Sequence, residues 1–282
     1  MISLLLAQLA TAAPVTDELV YVVVNEIYGK EVSEKAVCIE RPALPAPFAS
    51  DIVAIGVMRG EIGCQLLGVM VDGGFKKPEA AAAAAINDDS WTSARSSERA
   101  TWMQQWTTNV HLAFKQFDIF GTSPTSSATG GGYSVTATYW ERDEIDWIAR
   151  HATGTFRFDG DGILLDESSA GPRYKSTFSA REYRLNGLNG DAIHHAMTQQ
   201  GRSLVRCALE AFKTDLQFEG RTRIQFNLSG GKASQIALVA QDDKGTGIER
   251  CYSRALIKIN FPTSLDGTVV WAFNVARKEL VE

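Results

Sequence analysis

Arg221-Thr222-Arg223-Ile224-Gln225-Phe226-Asn227-Leu228-Ser229-Gly230-Gly231-Lys232 sets Thr222, Ile224, Phe226 and Leu228 in alternation with Arg221, Arg223, Gln225 and Asn227. Successive side chains of a strand point to opposite faces, so this is a strand with one buried and one wet face. Ser229-Gly230-Gly231-Lys232 turns the chain, and Gln235 to Val239 supplies a returning strand. Upstream, the turn-rich Gly187-Leu188-Asn189-Gly190 leads to Asp191 as N-cap. Ile193, Met197, Leu204, Ala208 and Phe212 then recur at helical spacing, which predicts one amphipathic helix. Downstream, Ile248, Cys251 or Tyr252, Ala255 and Ile259 mark a second helix. It stops before Phe261-Pro262, because the residue preceding proline is pushed out of the helical region. Val269, Trp271, Phe273 and Val275 close the run as an apolar-faced strand. The order is α-β-β-α-β, that of a small α+β domain over residues 187–282.

With these elements in place, residues 187 to 277 resemble the TonB-like C-terminal domain of gliding-motility envelope proteins of the AgmX/PglI type. The resemblance rests on the Gly-Leu opening at Gly187-Leu188, Cys207 near the end of the first helix and the Gly-rich hairpin turn. Cys251-Tyr252 in the second helix, Phe261-Pro262 and the closing apolar strand complete it. Ala208 follows Cys207 where an aromatic is usual in that family. The resemblance implies an envelope module that works by contact with a protein partner, and it brings no catalytic residues.

Four cysteines occur, Cys38 and Cys64 in one half and Cys207 and Cys251 in the other. In an exported chain this distribution suits one bridge per half, Cys38–Cys64 and Cys207–Cys251; a free cysteine buried as a small hydrophobe is the competing reading. No Cys-x-x-Cys pair is present, which disfavours zinc and thioredoxin-like chemistry. Export is expected from residues 1–12, where Met1 to Leu9 is apolar and Ala10-Thr11-Ala12 places small residues at the −3 and −1 positions of a signal-peptidase site. The α-amine is the sole positive charge of that segment, so an N-terminal helix packed on the domain is the alternative. No other segment approaches the length of a membrane span, so a periplasmic or secreted chain without an integral span is expected.

Residues 13–180 read as an α+β domain of no recognised family, with helices packed on an antiparallel sheet. Leu19 to Val24 fits a strand or a helix. Ile52 to Met58 and Ile62 to Val71 form a buried hairpin, and Pro78 opens an alanine-rich helix. A longer helix is expected from about Ser96 to Phe114, with Trp102, Trp106 and Val110 as its core stripe. Thr122 to Gly132 reads as a flexible loop, followed by strands at Tyr133–Trp140, Ile145–His151 and Thr155–Leu165.

The net charge of −5 is uneven: residues 13–186 carry 16 Lys and Arg against 23 Asp and Glu, and residues 187–282 carry 12 against 10. No basic stripe emerges along the chain, so no nucleic-acid partner is expected. Asp159-Gly160-Asp161-Gly162 lacks the acids that a calcium loop needs at its ends and reads as a hairpin turn. Gly231-Lys232 lacks the upstream glycine and the following Ser or Thr of a phosphate loop. His194 and His195 are adjacent and diverge on a helix; His111 and His151 have no neighbouring partner in sequence. Glu141, Asp143, Glu144 and Asp146 form an acidic cluster that suits a solvated turn, with a carboxylate pair for proton transfer as its chemical alternative. No catalytic, cofactor or metal residue is nominated. The expected function is that of a non-enzymatic envelope protein; the alternative is a periplasmic ligand-binding protein or enzyme with its site in the N-terminal part.

Overall fold

The computed structural model describes residues 14–281 apart from 50, 60–62, 119–120, 144, 146 and 243–246. The expected signal segment, residues 1–12, lies outside them. The fold is α+β, and the chain divides into two compact units. One comprises the residues up to Arg142 with His151–Gly171, the other Asp143–Arg150 with Pro172 onward.

The first unit opens with α1 (Asp17–Tyr28). Thr16 caps it by accepting the Leu19 N–H at 3.3 Å, and Gly29, at φ 63°, ends it in the left-handed region that glycine tolerates. The cap settles the ambiguous Leu19–Val24 run as helix, with Val20, Val23 and Val24 buried along one face. An antiparallel sheet follows, ordered β1 (Val37–Glu40), β2 (Ile52–Met58), β3 (Cys64–Val71) and β4 (Gly74–Lys76). Its alternation serves two cores. Val53, Ile55 and Met70 pack with the α1 valines, whereas Ile52, Ala54, Val69 and Val71 face a second core that contains Trp106.

Helices α2 (Pro78–Ala85), α3 (Asp88–Ser93) and α4 (Ser96–Trp106) supply that second core, and α4 runs on into a π-helical turn, Thr107–His111. Trp106 and Val110 are fully buried; Trp102 lies at the margin, its ring 6.0 Å from that of Trp91. The opposing layer is built on β7 (Gly132–Arg142), which pairs with β5 (Gln116–Phe117) and β6 (Thr125–Thr129). β8 (Ile148–Asp159) lies beside it and pairs with β9 (Leu164–Ala170). Three expectations are corrected here. The Ser/Thr/Gly-rich stretch after Thr122 contains β6, because Tyr133 to Thr136 offer it a pairing edge. Ile145 sits in the turn before β8, accepting the Ile148 N–H at 2.9 Å. Thr155–Leu165 is not a single strand, because the expected hairpin turn at Asp159–Gly162 divides it, with Asp159 Oδ1 accepting the N–H groups of Asp161 and Ile163 at 3.0 and 2.8 Å.

In the second unit, β10 (Arg173–Arg184), α5 (Gly190–Gln199), α6 (Gly201–Thr214), β11 (Gly220–Ser229), β12 (Lys232–Gln241), α7 (Ile248–Ile257) and β13 (Gly267–Leu280) follow in sequence. The sheet order is β12-β11-β13-β10, antiparallel throughout. The predicted α-β-β-α-β order holds with two corrections. The first helix is two, since Gln200 ends α5 and Gly201 begins α6, and Asn189 rather than Asp191 is the cap, accepting from the N–H groups of Asp191 and Ala192. The second correction is β10, which pairs with β13 from Arg173 to Arg184 and adds Phe178 and Ala180 to the margin of the core. A boundary between 180 and 187 therefore falls within and just beyond a strand of this unit, which comprises Asp143–Arg150 and the chain from Pro172 onward. Ile193, Leu204, Tyr252 and Leu256 pack onto Ile224, Phe226, Trp271 and Phe273, with the Tyr252 and Phe273 rings stacked at 4.2 Å.

Candidate functional site

Cys207 on α6 is 4% exposed and joins Cys251 on α7, with Cα atoms 5.7 Å apart. The helical period puts Leu204, Ala208 and Phe212 on the core face of α6 and Tyr252, Ala255 and Leu256 on that of α7, and each cysteine borders its stripe. The bridge therefore ties the two helices over one face of the sheet. Cys38 on β1 joins Cys64 at the start of β3, with Cα atoms 6.4 Å apart. Each unit thus carries its own cross-link.

The second unit leaves one sheet edge apolar and accessible. Among the described residues β12 pairs with β11 alone, and its register slips twice, between Ala240 and Leu238 and between Ala237 and Ser234. Each slip inserts one extra residue into β12, and Gln235 at φ 48° marks one of them. Bulges of this kind twist an edge and blunt it against indiscriminate pairing. Leu238 and Val239 nevertheless remain 46% and 52% exposed, and Ile257 on the helix beside β12 is 56% exposed.

The first unit assembles polar groups on both faces of its second sheet. On the core side, Lys115 donates to the Tyr139 hydroxyl at 3.3 Å and lies 3.4 Å from Glu167 and 3.5 Å from Glu141. Burial pulls the Lys115 pKa down, but Tyr139, Glu167 and Glu141 outweigh it and hold the pKa above its ordinary value. Lys115 is therefore an ammonium at neutral pH and a counter-charge to Glu141 and Glu167. Tyr139 is fully buried, and Gly154 leaves room for it: a Cβ there would stand 2.7 Å from the ring. One helical turn before Lys115, His111 closes the π-helical turn beside Phe156 and Phe158, with ring centroids 5.6 and 6.0 Å away. Its Nε2 is buried without a hydrogen-bond partner among the described residues, and burial, with the charge of Lys115 second, lowers its pKa to about 4.

On the opposite face His151 stacks on Trp140 at 4.7 Å, and its Nε2 lies 2.6 Å from Asp118 Oδ2. Of the acidic cluster, Glu141 joins Lys115 and Asp143 pairs with Arg173; Glu144 and Asp146 lie outside the described residues. His195 contacts Gln199 on α5, and Lys232 of the Gly231-Lys232 step bonds Asn260. Among the described residues no three His, Cys, Asp or Glu side chains cluster as metal ligands, and no helix is long and apolar enough to cross a membrane. Sequence reading missed Lys115, Tyr139 and Glu167 because 24 and 52 residues separate Lys115 from its two partners.

No family model, curated protein or solved structure matches the chain.

Proposed function

We propose that the protein is exported to the cell envelope and acts there by binding, with its C-terminal unit adding a partner's strand to the edge of β12. The observation that carries this reading is the exposure of Leu238 and Val239 on a strand that, among the described residues, pairs on one side alone. Main-chain hydrogen bonds along such an edge provide affinity, and alternate side chains provide selectivity. One disulfide in each unit supports an oxidising compartment, since such bonds seldom persist in the cytosol. The resemblance to the TonB-like module, with its α-β-β-α-β order, supports a contact function and an envelope protein as the partner. A protonated Lys115 held by its own neighbours favours a structural role for the first unit's polar network over an active site.

A photo-crosslinking residue at position 239 tests the proposal in the native envelope, with the same residue at Val22 on exposed α1 as control. A discrete adduct from position 239 alone is expected. Adducts from neither position, or the same ones from both, would discard the β12 edge as the contact. Recovery of the mature protein with Met1 intact would discard signal cleavage, and fractionation into the cytoplasm would discard export.

A further inference from the structure

The sheet of the second unit has one face under the helices and one without them, and its registers separate the two sets of side chains. Thr222, Ile224 and Phe226 pair with Phe273, Trp271 and Val269, all in the helix-covered core. Their alternates, Arg221, Arg223, Gln225 and Asn227, pair with Asn274, Ala272, Val270 and Thr268 on the other face. The same alternation in β10 places Lys175, Thr177, Ser179 and Arg181 there, opposite Lys278, Ala276, Asn274 and Ala272; Arg184 joins them opposite Val270 after a bulge. Six cations therefore share one face: Lys175, Arg181, Arg184, Arg221, Arg223 and Lys278. Acids lie near it as well: Glu219 stands two residues before Arg221, Asp266 two before Thr268, and Asp242 donates its N–H to the Arg221 carbonyl.

Among the described residues none of these six makes an ion pair. Lys175 and Lys278 are directly opposed across the β10–β13 ladder, an arrangement that destabilises a sheet. Arg223 lies over the Tyr183 ring at 4.5 Å, and its buried Nε has no hydrogen-bond partner. Tyr183 itself is 54% exposed. The Lys175–Lys278 opposition works against the fold that carries it, which points to a use outside it. The sequence conceals this face, because Lys175, Arg181 and Arg184 lie in the acidic residues 13–186 and the other three in the near-balanced residues 187–282, and register alone brings them together.

We propose that this face docks on an anionic lipid surface. From Lys175 to Arg184 the cations extend about 30 Å along β10 at the ordinary strand rise. They are spread over three strands and seated on a sheet face, which complements a field of charge in two dimensions rather than a single extended acidic chain. Tyr183, amphipathic and exposed amid the cations, suits the headgroup layer, where aromatic residues concentrate. Adsorption there leaves the β12 edge free for a protein partner, so the proposal does not depend on that reading.

The test is sedimentation of the full mature chain with phosphatidylcholine vesicles, with and without phosphatidylglycerol, at low and high salt. Binding should require phosphatidylglycerol and collapse at 1 M salt, where screening acts within about 3 Å. Each cation removed should weaken it roughly fivefold. Lys278→Glu is the decisive variant: it relieves the Lys–Lys opposition, so its Tm should hold or rise while vesicle binding falls, which a purely structural role would not produce. Arg181→Glu should weaken binding likewise, and Val22→Gln on exposed α1 should leave it intact. Equal sedimentation with neutral vesicles, or binding unaffected by Lys278→Glu and Arg181→Glu, would overturn the proposal. Binding of polyglutamate or of an oligonucleotide with none to the anionic vesicles would also overturn it, in favour of a protein or nucleic-acid partner.

Discussion

Replacing Cys251 by serine isolates the Cys207–Cys251 bridge, because Cys251 is exposed and its hydroxyl substitute meets water. The bridge spans 44 residues, and restricting that loop in the unfolded chain is worth about 4 kcal/mol on the loop-entropy relation. For a unit of this size about 4 °C of Tm accompanies each kcal/mol, so Cys251→Ser should melt the second unit about 15 °C lower. Cys207→Ser should fall further, by about 1–3 kcal/mol, because its hydroxyl enters a site only 4% exposed. Scanning calorimetry of the full chain measures both. Wild-type protein treated with reductant should converge on Cys251→Ser, and reductant should leave that variant's second transition unchanged. Equal melting of oxidised wild type and Cys251→Ser, with both wild-type thiols free by mass spectrometry, would refute the reasoning.

The remaining predictions concern the first unit and the limits of the second. His111 has a folded pKa of about 4 against 6.5 unfolded, so the unfolded chain takes the proton first. Stability should be intact above pH 6.5 and fall by roughly 3 kcal/mol towards pH 4, and His111→Leu should flatten that dependence in urea titrations; an unchanged slope would remove His111 as its source. Lys115→Met should cost about 1–2 kcal/mol near neutrality, because Glu141 and Glu167 lose their counter-charge. The raised Lys115 pKa makes its contribution complete below the unfolded value and lost as pH rises through the folded one, so wild type and variant should converge in strong alkali. Gly154→Ala should cost about 1–3 kcal/mol by driving a methyl into buried Tyr139, and a neutral result would mean that the ring yields. A fragment starting at 187 lacks β10 and bares the β13 edge; it should be less stable, and more prone to aggregate by light scattering, than one starting at 172.

The elements that sequence could reveal are those whose buried side chains keep a period. Ile224, Phe226 and Leu228 alternate cleanly, as do Trp271 and Phe273, so β11 and β13 were readable. β10 was not: its core-facing positions are Tyr174, Ser176, Phe178, Ala180 and Glu182, of which only Phe178 is large and apolar and at all buried against the core. The α5–α6 break escaped notice because Met197 and Leu204, seven residues apart, stay in helical phase across Gln200. The cysteine pairs were inferred from number, distribution and an expected oxidising context, none of which needs a contact map. The Lys115 network and the cationic face needed one, since both are products of strand pairing between distant residues.

The two disulfides also set how the protein would respond to tension. Pulled from its ends, the oxidised chain shunts force across each bridge, and the spans of 26 and 44 residues between the paired cysteines cannot extend. At roughly 3.5 Å per residue about 240 Å of contour stays locked, so reduction would let a stretched molecule lengthen by that amount, drawing out β11 and β12, which lie within the longer span.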